Sequence, residues 1–123
     1  MTEVGGATLR EDQMIGIDVV EVERLRRSLE RTPELRDELF TSAEQRYCAR
    51  YRDPVIHLAG TLAAKEAVIK ALGPGVNGMI KRIEIARDGS GVPRALVEGD
   101  GSPAIELSIS HDGPVAVAVA FVR

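Results

Sequence analysis

Apolar residues change their spacing along this chain, and each change predicts a different element. Residues 14–20 (MIGIDVV) are β-branched and alternating, with Ile15, Ile17 and Val19 on one side and Gly16, Asp18 and Val20 on the other. They predict a strand that carries one acid. From Glu21 to Arg31 the spacing turns helical: Val22, Leu25 and Leu29 share a face, Arg24, Arg27 and Arg31 lie off it, and Pro33 ends the run. Thr41-Ser-Ala-Glu44 is a capping-box pattern that opens a second helix, through about Tyr51. After a break at Asp53-Pro54, every residue from 57 to 72 is compatible with a third helix. Ala59, Ala63, Ala67 and Ala71 recur every four positions in it as a smooth packing stripe, and Gly73 supplies the stop.

Beyond Gly73 the pattern is that of strands, punctuated by glycines at 73, 75, 78, 89, 91, 99, 101 and 113. Strands are predicted over 80–87, 93–98 and 105–111, with turns at Asp88–Gly91, Gly99–Pro103 and Asp112-Gly113. In the third of these strands Ile105, Leu107 and Ile109 alternate with Glu106, Ser108 and Ser110. Residues 115–122 alternate Val or Phe with Ala, which predicts a strand apolar on both faces whose Ala face sits close to a helix. Residues 1–13 show no periodicity and carry adjacent glycines, so they are expected to be a loose tail before a single domain over 14–123. The order of elements predicts an α+β domain in which one small antiparallel sheet packs against helices.

Composition narrows the possibilities. At 123 residues the chain supports one domain with a real core, and with 44% hydrophobic but only 3% aromatic residues and no Trp that core must be aliphatic. A net charge of −3 argues against a general nucleic-acid binder, which would need a basic surface for phosphates. The chain has no long apolar run that would span a membrane and a single cysteine, Cys48, best read as a buried structural thiol; both point to a cytoplasmic protein.

The charge on the third helix stands out against its Ala/Leu background. Glu66 and Lys70 are four apart and project from one face, with Leu62 and Ile69 beside them. Each charged residue also has a plain structural reading. Glu66 and Lys70 alone make an exposed ion pair contributing roughly 0.2–0.5 kcal/mol. Asp18 alone is an exposed strand residue, and His111 a surface histidine before a turn. Lys65 snorkels from its helix, and the arginines form a solvated face.

Three stretches considered together change that balance. GIDVVEVER (16–24), LAAKEAVIKALG (62–73) and LSISHDG (107–113), in this order, resemble the holo-acyl-carrier-protein synthases, the short 4′-phosphopantetheinyl transferases. The resemblance covers about residues 14–123. It implies that family's fold and the transfer of the 4′-phosphopantetheine arm from coenzyme A to a serine hydroxyl of an apo acyl carrier protein, releasing 3′,5′-ADP. It further implies Mg²⁺ or Mn²⁺ held by Asp18 and Glu66, Lys70 at the phosphates, and Glu66 as the base for the serine proton. Gly73 and Gly75 would let the backbone approach coenzyme A, His111 would contact it near the 3′-phosphate, and Lys65 would be a further nucleotide ligand. Arg24 and Arg27, with Arg31, would dock the acidic carrier protein of fatty-acid or polyketide assembly. A homotrimer with each active site at a subunit seam is also implied.

The chain departs from the family pattern in places. Many members read RFAAKEA where this chain has Thr61-Leu62 before Ala63, so an arginine expected at the 3′-phosphate is absent. An aromatic residue is missing at Gly78-Met79, and a short helix between the last strands has only Gly99–Pro103 in its place. The alternative these departures leave open is a weakened or noncatalytic homologue that binds carrier protein or coenzyme A.

Overall fold

The computed structural model describes residues 2–4, 7–9, 14–73, 80–99 and 104–123. Two short strands, β1 (Thr2–Val4) and β2 (Ala7–Leu9), pair antiparallel with Thr2 opposite Leu9. The segment expected to be a loose tail therefore carries strand structure, built from residues such as Thr and Val that favour it. Then follow β3 (Met14–Glu21), α1 (Val22–Arg31), α2 (Leu35–Leu39), α3 (Ser42–Cys48) and α4 (Pro54–Leu72). A 3₁₀ turn (Ile80–Arg82) leads into β4 (Ile83–Arg87), β5 (Pro93–Val97), β6 (Ile105–Asp112) and β7 (Val115–Val122).

Local chemistry accounts for the helix ends. The Thr41 hydroxyl accepts the Glu44 N–H and the Glu44 carboxylate accepts the Thr41 N–H, so both halves of the capping box form. Asp53 caps α4 by accepting the Val55 N–H, Pro54 occupies its first turn, and Gly73 closes it at a φ of 90° that a side chain would resist.

The strands form the order β3-β7-β6 in one antiparallel sheet, while β4 and β5 pair separately. The expected single sheet is thus divided. One edge of β4 pairs with β5, and on the other the Ile85 N–H goes to the Glu44 carboxylate at 2.8 Å, so a side chain stands where another strand would pair. The predicted strand over 80–87 likewise begins as a 3₁₀ turn. The last hairpin turns at Gly113-Pro114, one residue later than expected, and the Pro114 carbonyl accepts the Val22 N–H, tying that turn to the start of α1.

Helix α4 is the centre of the molecule. Ala59, Ala63, Ala67 and Ala71 are all fully buried, and Ala116, Ala118 and Ala120 of β7 face inward with them. Such small side chains let the backbones approach. At Gly16 the approach is closest: a Cβ there would sit 2.1 Å from the Ala67 carbonyl oxygen, so no side chain fits between β3 and α4. The opposite face of the sheet is apolar and unfilled. Ile15, Ile17 and Val19 are 68%, 57% and 57% exposed and stand opposite Phe121, Val119 and Val117, which are half-buried.

Candidate active site

The tight seating of β3 on α4 aims Asp18 at the last turns of the helix. Alternation along β3 puts Asp18 on the same side as Gly16, and it is partnered in the sheet by buried Ala118. There the Lys70 ammonium donates to Asp18 Oδ1 at 2.8 Å and to the Ile17 carbonyl at 3.0 Å. Lys70 therefore bridges helix to strand, and its proton is held more tightly than in a free lysine, mainly by the hydrogen bond to Asp18 and also by the charges of Asp18 and Glu66. Glu66, one turn back on α4, is half-buried; burial and then the Asp18 charge raise its carboxyl above the ordinary range, with Lys70 opposing.

Two carboxylates and an ammonium thus converge at a solvent-facing rim. A carboxylate held against another carboxylate is what a hard cation relieves. Among the described residues no cluster of three or more His, Cys, Asp or Glu side chains is present, so a cation here would complete its shell with water and substrate oxygens, as Mg²⁺ commonly does. Asp18 and Glu66 fit that role by type and placement. Gly73 ends α4 one turn beyond Lys70. Gly75 and the Gly78-Met79 pair lie outside the described residues, as does most of the Gly99–Pro103 turn.

His111 is not part of this group. It sits at the exposed end of β6, where its ring meets the edge of His57 in the first turns of α4. His57 precedes Glu66 by nine residues, which is about 13 Å along a helix axis. Within one chain the predicted coenzyme contact therefore packs near the start of α4, and Glu66 lies further along the same helix.

A family model described as the 4′-phosphopantetheinyl transferase superfamily matches residues 14–120. The chain belongs to that superfamily. A holo-[acyl-carrier-protein] synthase of Chlorobaculum tepidum is 44% identical over 111 residues, covering 87% of this chain and 95% of the relative. Another from Clostridium acetobutylicum is 37% identical over 118 residues, covering 89% and 95%. Among solved structures, the ACPS-CoA complex from Chronobacterium ammoniagenes superposes with a TM-score of 0.80 at 30% identity over 92% of this chain and 98% of its own. The Helicobacter pylori synthase in complex with coenzyme A gives 0.78 at 29% identity over 89% and 100%.

Two expectations carried from the transferase family do not survive the geometry. Lys65 is fully buried, its ammonium bonded to Glu44 Oε1 at 2.7 Å and the Leu39 carbonyl at 2.8 Å, so it has no solvent-facing side from which to reach a nucleotide. Its neighbours along α4 explain this: Ala64 and Val68 are also in the core, and only a lysine whose charge is met can lie among them. Thr61, where many transferases have arginine, is also buried; its hydroxyl donates to the His57 carbonyl and touches Cys48, itself a buried thiol. Position 61 faces α3 and not the solvent rim.

Helix α1 presents its arginines unequally. Arg26 is bidentate to Asp53, at 3.0 and 2.7 Å, and also bonds Glu23, clamping α1 to the cap of α4. Arg24, Arg27 and Arg31 are exposed, and among the described residues no carboxylate pairs with any of them. Arg24 also lines a cleft of about 320 Å³ with Val20, Leu25, Leu39 and Leu62. Sequence reasoning missed Glu44 as the partner of Lys65, Arg26 as the clamp, and His57 altogether. The capping box was the one available signal, and it accounted for only one of the two Glu44 oxygens.

Proposed function

We propose that this protein transfers the 4′-phosphopantetheine arm of coenzyme A to a serine hydroxyl of an apo acyl carrier protein. The observation that carries this is the joining of Asp18, Glu66 and Lys70 across β3 and α4 in a chain of this superfamily. The serine oxygen forms a bond to the phosphorus that bears the pantetheine arm, and the bond from that phosphorus to the 3′,5′-ADP oxygen breaks. Glu66 takes the serine proton directly or through a water; its raised affinity for protons suits a base working near neutral pH. Lys70, anchored by Asp18 yet solvent-facing, offers its remaining donor to the oxygen of the leaving ADP, where negative charge develops. Asp18 and Glu66 would hold Mg²⁺ or Mn²⁺, which when bound neutralises pyrophosphate charge.

The free arginines Arg24 and Arg27 dock the acidic carrier, beside the apolar cleft between β3, α1 and α2. The chain works as a homotrimer. The exposed Ile15, Ile17, Val19 face joined to Val117, Val119 and Phe121 supports this, because a patch of that kind favours association. In such an assembly His111 of one subunit complements the Asp18, Glu66 and Lys70 group of the next, which accounts for their separation within one chain. Among the described residues no helix is long and apolar enough to cross a membrane. The buried, unpaired Cys48 supports a reducing cytoplasmic setting.

The test is to incubate the protein with apo carrier proteins, coenzyme A and Mg²⁺ and weigh the carriers. A gain equal to the phosphopantetheine arm, lost in excess chelator, is the expected result. Carrier capture without mass gain would instead establish a binding homologue.

A further inference from the structure

The chain has two histidines, and they touch. The rings of His57 and His111 lie 5.7 Å apart at 78°, edge to face, across the gap from α4 to β6. The His57 ring also stacks on Tyr51, 3.6 Å away at 19°. The Tyr51 hydroxyl in turn meets the Tyr47 hydroxyl at 2.7 Å, and the Arg87 guanidinium lies 4.7 Å over the Tyr47 ring. His57 is thus held in a row of rings that begins on α3 and β4 and ends at His111. His111 itself is exposed, and among the described residues its side chain makes no hydrogen bond. The catalytic group has no use for His57, and an aromatic row ending on a solvent-facing imidazole has no packing purpose at its last member.

We propose that His57 is a positioning residue for His111: its ring, clamped against Tyr51, holds the His111 imidazole in one orientation for coenzyme A. This rests on reading His111 as a coenzyme contact. The charged groups around His57 are His111 on β6, Arg87 on β4 and Asp53 at the cap of α4, with Tyr51 as the neutral platform. Burial first, and then His111 and Arg87, hold the His57 ring below its ordinary proton affinity; Asp53 opposes but is already bound to Arg26. His57 therefore stays neutral near pH 7, a ring whose edge and face matter more than its charge.

The full-length protein decides this with His57→Ala, His57→Phe, His111→Ala and the double alanine variant. His57→Ala is expected to raise KM for coenzyme A roughly 5- to 10-fold with kcat within about two-fold, and the double variant to be no worse than His111→Ala, as expected of coupled residues. His57→Phe keeps a flat ring on Tyr51 and is expected to stay within about two-fold of the wild-type KM. With only two histidines, imidazole NMR signals are assigned by deletion. The His57 midpoint should lie below that of a free imidazole and rise in His111→Ala. Additive kinetic effects, or an unchanged KM in His57→Ala beside a raised one in His111→Ala, would overturn the proposal. So would a His57 titration that ignores His111. If His111→Ala leaves KM unchanged, the coenzyme reading of His111 falls, and the titration alone decides whether the two rings are joined.

Discussion

Two lysines five residues apart on α4 have opposite fates. Lys65 is wholly inside, with its ammonium divided between the Glu44 carboxylate and the Leu39 carbonyl. Lys70 is 54% exposed in its side chain and bridges Asp18 and the Ile17 carbonyl. Both make ion pairs of similar length, 2.7 and 2.8 Å, so distance does not separate them. What does is saturation. Glu44 spends its carboxylate on Lys65, the Thr41 N–H and the Ile85 N–H, wholly inside the core and out of reach of a ligand. The Lys70 cluster has a face open to solvent and a second carboxylate, Glu66, that among the described residues finds no hydrogen-bonded cation of its own. A charge whose partners are complete holds the fold; a charge cluster left incomplete at a surface is available for chemistry.

The sharpest way to break that distinction is to remove each lysine. Lys65→Ala leaves Glu44 charged and buried without a cation and is expected to cost about 3–5 kcal/mol of stability in a urea titration. Replacing both partners, Lys65→Met with Glu44→Leu, should recover part of the loss but not all, because Glu44 also satisfies the Thr41 and Ile85 N–H groups. Lys70→Ala should leave stability within about 1 kcal/mol, as exposed pairs do. It should nevertheless lower transfer at saturating coenzyme A roughly 10²- to 10³-fold, read from the mass of the carrier. If Lys65→Ala were harmless to stability, or Lys70→Ala harmless to turnover, the saturation argument would fail.

Smaller effects are expected where charge is exposed but unpaired. Arg24→Glu combined with Arg27→Glu should slow reaction with an acidic carrier about 10-fold at low ionic strength and less at 0.1 M salt, where the Debye length is about 10 Å. KM for coenzyme A should not move; equal rates across salt would assign both arginines to a solvated face.

The smallest effect is thermal. Because the folded state raises the Glu66 carboxyl above its ordinary 4.5, the charged form costs stability at every pH above the raised value, and the cost fades as pH falls through that value toward 4.5. Glu66→Gln should therefore melt slightly higher than wild type at pH 7, with the difference gone near pH 4. Added Mg²⁺ should stabilise wild type and not the variant. A variant that gains from Mg²⁺ as much as wild type would remove Glu66 from the proposed metal pair.

Much of the fold was legible. The Thr41 capping box, the four-residue alanine repeat of α4, the Gly73 stop and the Val/Ala alternation of β7 each reflect one local rule that nothing overrode. The grouping of Asp18, Glu66 and Lys70 came from the resemblance of three motifs, and the structure brings those side chains together. The fate of Lys65 was not legible, since a lysine in an Ala-rich helix reads the same whether a carboxylate from another helix meets it or not. Thr61 was misread for a related reason: the side of α4 facing solvent depends on where α3 packs, which no spacing within α4 reveals. The division into separate sheets turned on Glu44 reaching across to the Ile85 N–H, a contact between residues with no local signal linking them.

The central strand of the larger sheet has a consequence in time. β7 lies between β3 and β6, and its register sets Asp18 opposite Ala118, so the strand carrying Asp18 has no sheet partner until β7 exists. A chain emerging from a ribosome displays its Ile15, Ile17 and Val19 row long before β7 is made. Asp18 is therefore among the first residues of the proposed site to be synthesised and among the last to be placed. Until that pairing closes, the nascent chain is an apolar ribbon with an unpaired edge, dependent on the rest of its own translation for protection.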